Sequence, residues 1–342
     1  MTKIAVLPCD GAGKEVVPEA IKVLRAAGAD FDFEEFDVNA DSYMRTGVAI
    51  PPHVWDQVAA ADSILFGAVG DPRVPDSDYL AGVLLRLRFE LDLYVNLRPA
   101  KLYDDRLSPL RREERRPVDL LVVRENTEGL YVGMGGRFKK GTIEEIAVQE
   151  DVNTHLGVTR ILEHAFESAR REVVMVDKSN AMTFAGGLWQ ERWKAVAARH
   201  PKIKTRHLFV DAAAMQLVKD PSQFDVIVTG NLFGDILSDL TAELIGGMGV
   251  APSGNINPVT KRGLFEPVHG TAPDIAGKGV VNPIGAILSG AMMVKHLGHP
   301  EMADAIEGAV QSVIRASECT RDLGGNLSTR ECGDAVVRRL QD

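Results

Sequence analysis

The chain has 342 residues, a net charge of −9 and three cysteines. That length supports two domains or one large α/β unit whose core needs no staples, and the acidic balance argues against nucleic acid or an anionic membrane as partner, since either demands a basic surface. Cys9, Cys319 and Cys332 form neither an even disulfide framework nor a metal-type spacing, and "MTKIAVLPCD" runs directly into a strand, so we expect a cytoplasmic protein without a membrane span.

The first predicted strand, "KIAVLP", leads through "CDGAGKE" into a helix around residues 14–27. This turn lacks the third glycine of a GxGxxG fingerprint and reads as a plain strand-to-helix connection. A helix around 52–61 precedes the strand "SILFGAV", and another around 80–91 carries Arg88. Arg98 stands before a proline at the end of a strand-like run, and Arg124 closes the strand "VDLLVVR" and opens "RENTEGLY". A single arginine reads as a surface ion pair. Three at element ends can converge on one carboxylate-bearing substrate, because the guanidinium fork grips carboxylates bidentately. "RREERRP", residues 111–117, mixes both charges, ends at a proline and reads as a solvated turn. Tyr131 is either an acid or a packed aromatic.

A helix around 155–171 is followed by the strand "EVVMVD", which delivers Lys178 at its C-terminal end, where a buried lysine can be tuned for proton transfer. After a helix around 181–199 comes "TRHLFVD", whose Asp211 either caps a helix at 211–219 or serves a ligand. The strand "FDVIVTG" opens a helix around 231–246, in which Asp235, Asp239 and Glu243 recur every fourth residue and form a ridge on one face. Ile236, Leu237 and Leu240 make the segment look mostly buried, and buried acids need a cation or donors. Hard oxygen ligands suit Mg²⁺ or Mn²⁺, whereas Zn²⁺ would draw on Cys or His. "FEPVHGTAPDIAGKGVVNP", residues 265–283, is too long for a plain connector and points to a nucleotide. The alternation of strands and helices implies an α/β fold with a largely parallel sheet and sites at strand ends.

In order and spacing, "LLRLR" with "NLRP", "VRENTEGLY", "DKSNA", "VDAAAM", "GNLFGDILSD" and "EPVHGTAPDIAGKGVVNP" resemble the β-decarboxylating dehydrogenases. These are the isopropylmalate, isocitrate, homoisocitrate and tartrate or D-malate dehydrogenases, and the match runs almost end to end. The resemblance implies the two-domain fold of that family, with residues 1–98 and 249–342 binding the cofactor and 99–248 serving substrate, metal and dimerisation. It implies a homodimer, clasped through an arm around 130–151, with active sites shared between subunits. Carried over residue by residue, Arg88, Arg98 and Arg124 bind substrate carboxylates, and Tyr131 and Lys178 are catalytic, the lysine coming from the other subunit. Asp235 and Asp239 match the metal aspartates, joined by Asp211 from the partner, and Glu243 receives no role. Leu84 and Leu85 match leucines that receive an isopropyl group. His269, Gly270, Thr271, Ala272, Pro273, Asp274, Ile275 and Asn282 match the cofactor loop. Asp274 and Ile275 stand where NADP-dependent relatives carry lysine and tyrosine, which implies NAD.

The implied reaction is NAD-dependent oxidative decarboxylation of a malate-type 2-hydroxy diacid, with 3-isopropylmalate (leucine biosynthesis) placed first and D-malate or tartrate second. Isocitrate and homoisocitrate need a further donor; Arg86 and Arg73 have the charge, but Arg86 should face away from Arg88 on the helix. The sequence departs from the pattern at Cys9 and Lys14, where many relatives carry glycine and proline, and at Ala81, where isopropylmalate dehydrogenases typically carry glutamate. "GMGGRF" and "NPIGAILSGAMM" lean toward the tartrate/D-malate enzymes. A metal-dependent lyase or acyl transferase would share the anion and metal site without needing the adenosine loop, and a non-catalytic regulator would not need Lys178 and Tyr131 together.

Overall fold

The computed structural model describes residues 1–75, 77–113 and 117–341; residues 114–116 of the basic cluster expected as a surface turn lie outside them. The first strands are β1 (Thr2–Cys9), β2 (Phe31–Glu35), β3 (Ser63–Ala68), β4 (Val95–Lys101) and β5 (Asp119–Glu125). A separate hairpin, β6 (Gly135–Phe138) and β7 (Ile146–Gln149), precedes β8 (Glu172–Asp177), β9 (Lys204–Phe209), β10 (Val226–Thr229), β11 (Pro252–Asn257) and β12 (Arg262–Pro267). The helices of the first half are α1 (Gly13–Ala26), α2 (Ala40–Thr46), α3 (Pro52–Ala60), α4 (Ser77–Leu80) and α5 (Arg86–Glu90). Those of the second half are α6 (His155–Ser168), α7 (Thr183–Ala197), α8 (Val210–Lys219), α9 (Asn231–Glu243), α10 (Ile284–His296), α11 (Pro300–Arg315) and α12 (Thr329–Gln341).

Ten strands form one sheet in the order β2-β1-β3-β12-β11-β4-β5-β10-β8-β9. Its two wings are parallel, and the pairs β12–β11, β11–β4 and β4–β5 in the middle are antiparallel. The wing strands β1, β3, β8 and β10 are apolar runs buried along nearly their whole length, as strands covered on both faces must be. On one face α10 is buried almost throughout, α1 and α11 pack against it with their apolar stripes, and α12 packs against α1 and α11.

Three expectations change here. Arg98 is not at a strand end: β4 continues through Pro99, which is tolerated because β11 pairs only with Val95–Leu97 and leaves no ladder bond to lose on that side. The helix expected at 80–91 is interrupted, α4 and α5 being joined by a π-helical turn, Ala81–Leu85. The helix carrying the three acids is not mostly buried, for Leu237 is fully buried while Ile236 is 55 % exposed, and Asp239 and Glu243 share its outer side. The expected division at residue 98 falls within β4, which hydrogen-bonds to both β11 and β5, so the sheet runs unbroken across it. Every residue of strands β6 and β7 is exposed, Phe138 and Ile146 included. Among the described residues no helix is long and apolar enough to cross a membrane.

Candidate active site

Arg88 from α5, Arg98 from β4 and Arg124 from β5 converge on one cavity of about 240 Å³, at the ends of β3 and β12. All three guanidinium side chains are buried. Each is held from behind. Arg88 donates to Glu266 at 2.9 Å, and Arg98 donates to the Asn96 Oδ1 at 3.0 Å. Arg124 straddles the Asn231 Oδ1 with Nε and Nη2, at 3.0 and 2.7 Å, and pairs with Asp235. It can lie across α9 because residue 234 is glycine: a Cβ there would sit 2.5 Å from the Arg124 Cγ. Burial, then mutual repulsion with Arg88 and Arg98, lowers Arg124 to about 10, and burial likewise lowers Arg98. Three cations crowded on one cavity favour an anion between them, and the buried Arg88 Nε has no partner among the described residues.

Tyr131 and Asp235 complete the floor. The Tyr131 hydroxyl donates to the Asp235 Oδ2 at 3.0 Å. Burial, and then the Asp235 carboxylate, pushes the Tyr131 phenol up, so it retains its proton and is not merely a packed aromatic. Burial alone would raise Asp235, but the field of Arg124 and Arg98 outweighs it and holds the carboxyl below its ordinary value. Asp239, one turn further along α9, is pushed up by partial burial and by the charge of Asp235. Two oxygen donors on one helix face, one of them carrying under-compensated negative charge, fit a hard divalent cation.

Lys178 and Asp211 lie elsewhere. Lys178 follows β8 and is partly exposed rather than buried, and its ammonium donates to the Asp211 Oδ1 at 2.6 Å. That hydrogen bond holds the Asp211 carboxyl below its ordinary value. Asp211 does not cap its helix: α8 begins at Val210, the cap position belongs to Phe209, and the aspartate stands in the first turn. Neither residue lines the arginine cavity. Lys178 instead borders a smaller one of about 100 Å³ with Trp189, Asn153 and Phe233. Among the described residues no three acidic, histidine or cysteine side chains come together as a metal site within one chain.

The aliphatic residues Val69, Leu80, Leu84 and Leu85 also line the arginine cavity. Ala81 is exposed and does not line it. Neither additional arginine enters: Arg86 lies over the Trp55 ring, 4.1 Å from its centroid, and pairs with Glu90, while Arg73 is engaged by Asp71 and Asp41.

A long cleft of about 1300 Å³ adjoins the cavity, and His269 borders both. Ala272, Ile275 and Asn282 line the cleft, and Gly270 lines the arginine cavity. Thr271 acts through its backbone, accepting from the Ala12 N–H at 2.8 Å, while Pro273 and Asp274 are exposed on the loop. Glu15 holds the loop from α1 by accepting from the Gly277 and Gly279 N–H groups, the latter at 2.9 Å. The Asn282 amide is committed locally, donating to Asp322 and accepting from the Ile284 N–H. His269 Nε2 is buried without a partner among the described residues, and burial lowers the imidazole's pKa, so a neutral ring offers a polar edge where cleft and cavity meet. That edge and the extended cleft fit a dinucleotide.

Sequence reasoning missed Glu266, Asn231 and Asn96, which orient the arginines. Glu266 and Asn231 sit inside quoted motifs, "FEPVHG" and "GNLFGD", but nothing in their spacing shows which arginine each would meet.

The family model described as isocitrate/isopropylmalate dehydrogenase matches residues 3–336. Over 99 % of its length the chain is 46 % identical to a 3-isopropylmalate dehydrogenase of Thermobifida fusca, covering 98 % of that protein. It is 44 % identical to a 3-isopropylmalate dehydrogenase of Rhodococcus erythropolis, with 99 % of the chain and all of the relative covered. Among solved structures it is similar to an isocitrate dehydrogenase from Methylococcus capsulatus, with a TM-score of 0.92, 37 % identity and both chains covered in full. The chain therefore belongs to the isocitrate/isopropylmalate dehydrogenase family, and its α/β sheet, antiparallel at the centre, is that family's fold.

Proposed function

We propose that the protein is an NAD- and divalent-metal-dependent β-decarboxylating dehydrogenase whose substrate is 3-isopropylmalate. The observation that carries the substrate is the make-up of one cavity, which is lined both by three buried arginines and by the aliphatic residues Val69, Leu80, Leu84 and Leu85. Malate-type diacids share the carboxylates, and only an apolar side group gains from that wall. The extra carboxylate of isocitrate would face it without a cation, since Arg86 and Arg73 are engaged elsewhere. Curated relatives at about 45 % identity bear the name 3-isopropylmalate dehydrogenase, which supports the same choice.

In this reading the reaction removes a hydride and the hydroxyl proton from the 2-hydroxy carbon, releases CO₂ from the resulting β-keto acid and protonates the carbon left behind. The arginines bind and orient the carboxylates. Asp235 and Asp239, with Asp211 of the partner subunit, would hold Mg²⁺ or Mn²⁺, and when bound the ion supplies Lewis-acid stabilisation of negative charge on the substrate's oxygens. Lys178, also from the partner, takes the hydroxyl proton, and Tyr131, protonated beside Asp235, returns one to carbon. Such acid–base roles contribute about 10²–10⁴-fold each. Residues lining the cleft from His269 to Asn282, within 1–98 and 249–342, would hold the cofactor, while residues 99–248 form the substrate, metal and dimer region. Asp274 disfavours a 2′-phosphate by charge, so NAD⁺ is preferred to NADP⁺. The β6–β7 hairpin clasps the second subunit of a homodimer.

The test is NAD⁺ reduction with stoichiometric CO₂ release from 3-isopropylmalate after the protein has been stripped with EDTA and resupplied with Mn²⁺. Turnover without restored metal, or a higher kcat/KM with NADP⁺, would overturn the respective part.

A further inference from the structure

The turn "CDGAGKE" reads in sequence as a plain connection, yet its second residue is a buried hub. Cys9 and Gly11, on either side of Asp10, both have positive φ, 58° and 49°, and Asp10 itself is 3 % exposed. Its Oδ1 accepts from the Ala40 N–H at 2.8 Å; its Oδ2 accepts from the Gly70 N–H at 2.9 Å and the Tyr79 hydroxyl at 2.7 Å. None of these donors lines the substrate cavity. Two are next to residues that do: Gly70 follows Val69, and Tyr79 precedes Leu80.

We propose that Asp10 is a positioning residue for substrate selection, whose carboxylate ties the Val69 loop to the Leu80–Leu85 segment and thereby sets the room left for the substrate's side group. The two segments need such a tie. The described residues that follow β3, 69–75, form no helix or strand, and α4 is one turn long and runs straight into the π-helical turn, so neither is rigid by itself. A carboxylate accepting from both makes short, charge-assisted bonds that couple their positions. The inference rests on the reading that this wall meets a substrate side group.

Tyr79→Phe removes only the hydroxyl and leaves the ring against Tyr43, whose centroid is 4.9 Å away. The measurement is kcat/KM for D-malate, 3-methylmalate and 3-isopropylmalate, at saturating NAD⁺ and Mn²⁺, in the wild type, Tyr79→Phe and Asp10→Asn. We expect the preference for isopropyl over hydrogen to fall about fivefold or more in both variants, while kcat with D-malate and KM for NAD⁺ stay within about twofold. A purely structural role would depress all three substrates alike, and that result, or an unchanged preference in folded variants, overturns the assignment. A wild type that does not discriminate along the series refutes the substrate reading as well, whereas a discriminating wild type with unaltered variants refutes Asp10 alone.

Discussion

Asp235 meets Arg124, Tyr131 and, in the proposed reading, the metal. Asp235→Asn preserves shape while removing a charged hard ligand. We expect a loss of about 10²-fold or more in kcat/KM, corresponding to several kcal/mol of charge stabilisation, and a much higher Mn²⁺ requirement. A metal titration unchanged from wild type would contradict the assignment. Glu125, beside Arg124, offers a test in stability. Burial raises it to about 7, although the Thr127 and Glu128 N–H groups and the Thr127 hydroxyl donate to its carboxylate. Its folded value lies above its unfolded one, so the associated stability is fully present below about pH 4.5 and is lost as pH rises through 7. Urea titrations from pH 5 to 8 should show Glu125→Gln gaining on the wild type by up to about 3 kcal/mol. Parallel curves for the two proteins would show that Glu125 ionises freely in the folded state.

At the scale of elements, the π-helical turn Ala81–Leu85 brings Leu84 and Leu85 to the cavity, which Arg88, one turn further on, also lines. Such turns recur at functional sites because they shift register within a helix. An isopropyl group buried here gains about 2 kcal/mol over hydrogen, at roughly 0.8 kcal/mol per CH₂. Leu85→Ala should therefore cost about tenfold in kcat/KM for 3-isopropylmalate and leave D-malate within about twofold; equal losses on both substrates would remove the leucine from the side-group wall. The helix around this turn was legible from its apolar spacing, and the turn itself was not, since a single inserted residue leaves no mark on periodicity. The wing strands β1, β3, β8, β9 and β10 were legible as short strand-like runs, whereas the continuation of β4 past Arg98 was hidden by Pro99, whose missing N–H matters only once the absent neighbour beyond Leu97 is known. Apolar on every side, α10 shows no stripe to read. At the site, the residue types that bear chemistry could be found by motif. Their partners could not, because the contacts Arg88–Glu266 and Arg124–Asn231 join positions 178 and 107 residues apart.

At the scale of the whole molecule, the proposed reading needs more than one chain to complete the site. Lys178 and Asp211 pair with each other, away from the arginine cavity, and Leu156, Phe184, Met215, Val218 and Ile236 leave apolar surface exposed on the helices of the same half. A two-fold dimer accounts for both features if each subunit gives its lysine and aspartate to the other. Mixing inactive Lys178→Met subunits with inactive Asp235→Asn subunits should then restore up to about half of the wild-type activity per heterodimer, since one of its two shared sites carries neither lesion. No recovery after demonstrated subunit exchange would mean that the site is built within one chain. The central claim, that three arginines and an aliphatic wall select an isopropyl-bearing malate, is tested most directly by kcat/KM for 3-isopropylmalate, D-malate, tartrate and isocitrate under one NAD⁺ and Mn²⁺ condition. The result expected is 3-isopropylmalate first, by about tenfold or more over D-malate, with isocitrate last; D-malate or isocitrate turned over faster than 3-isopropylmalate would contradict it.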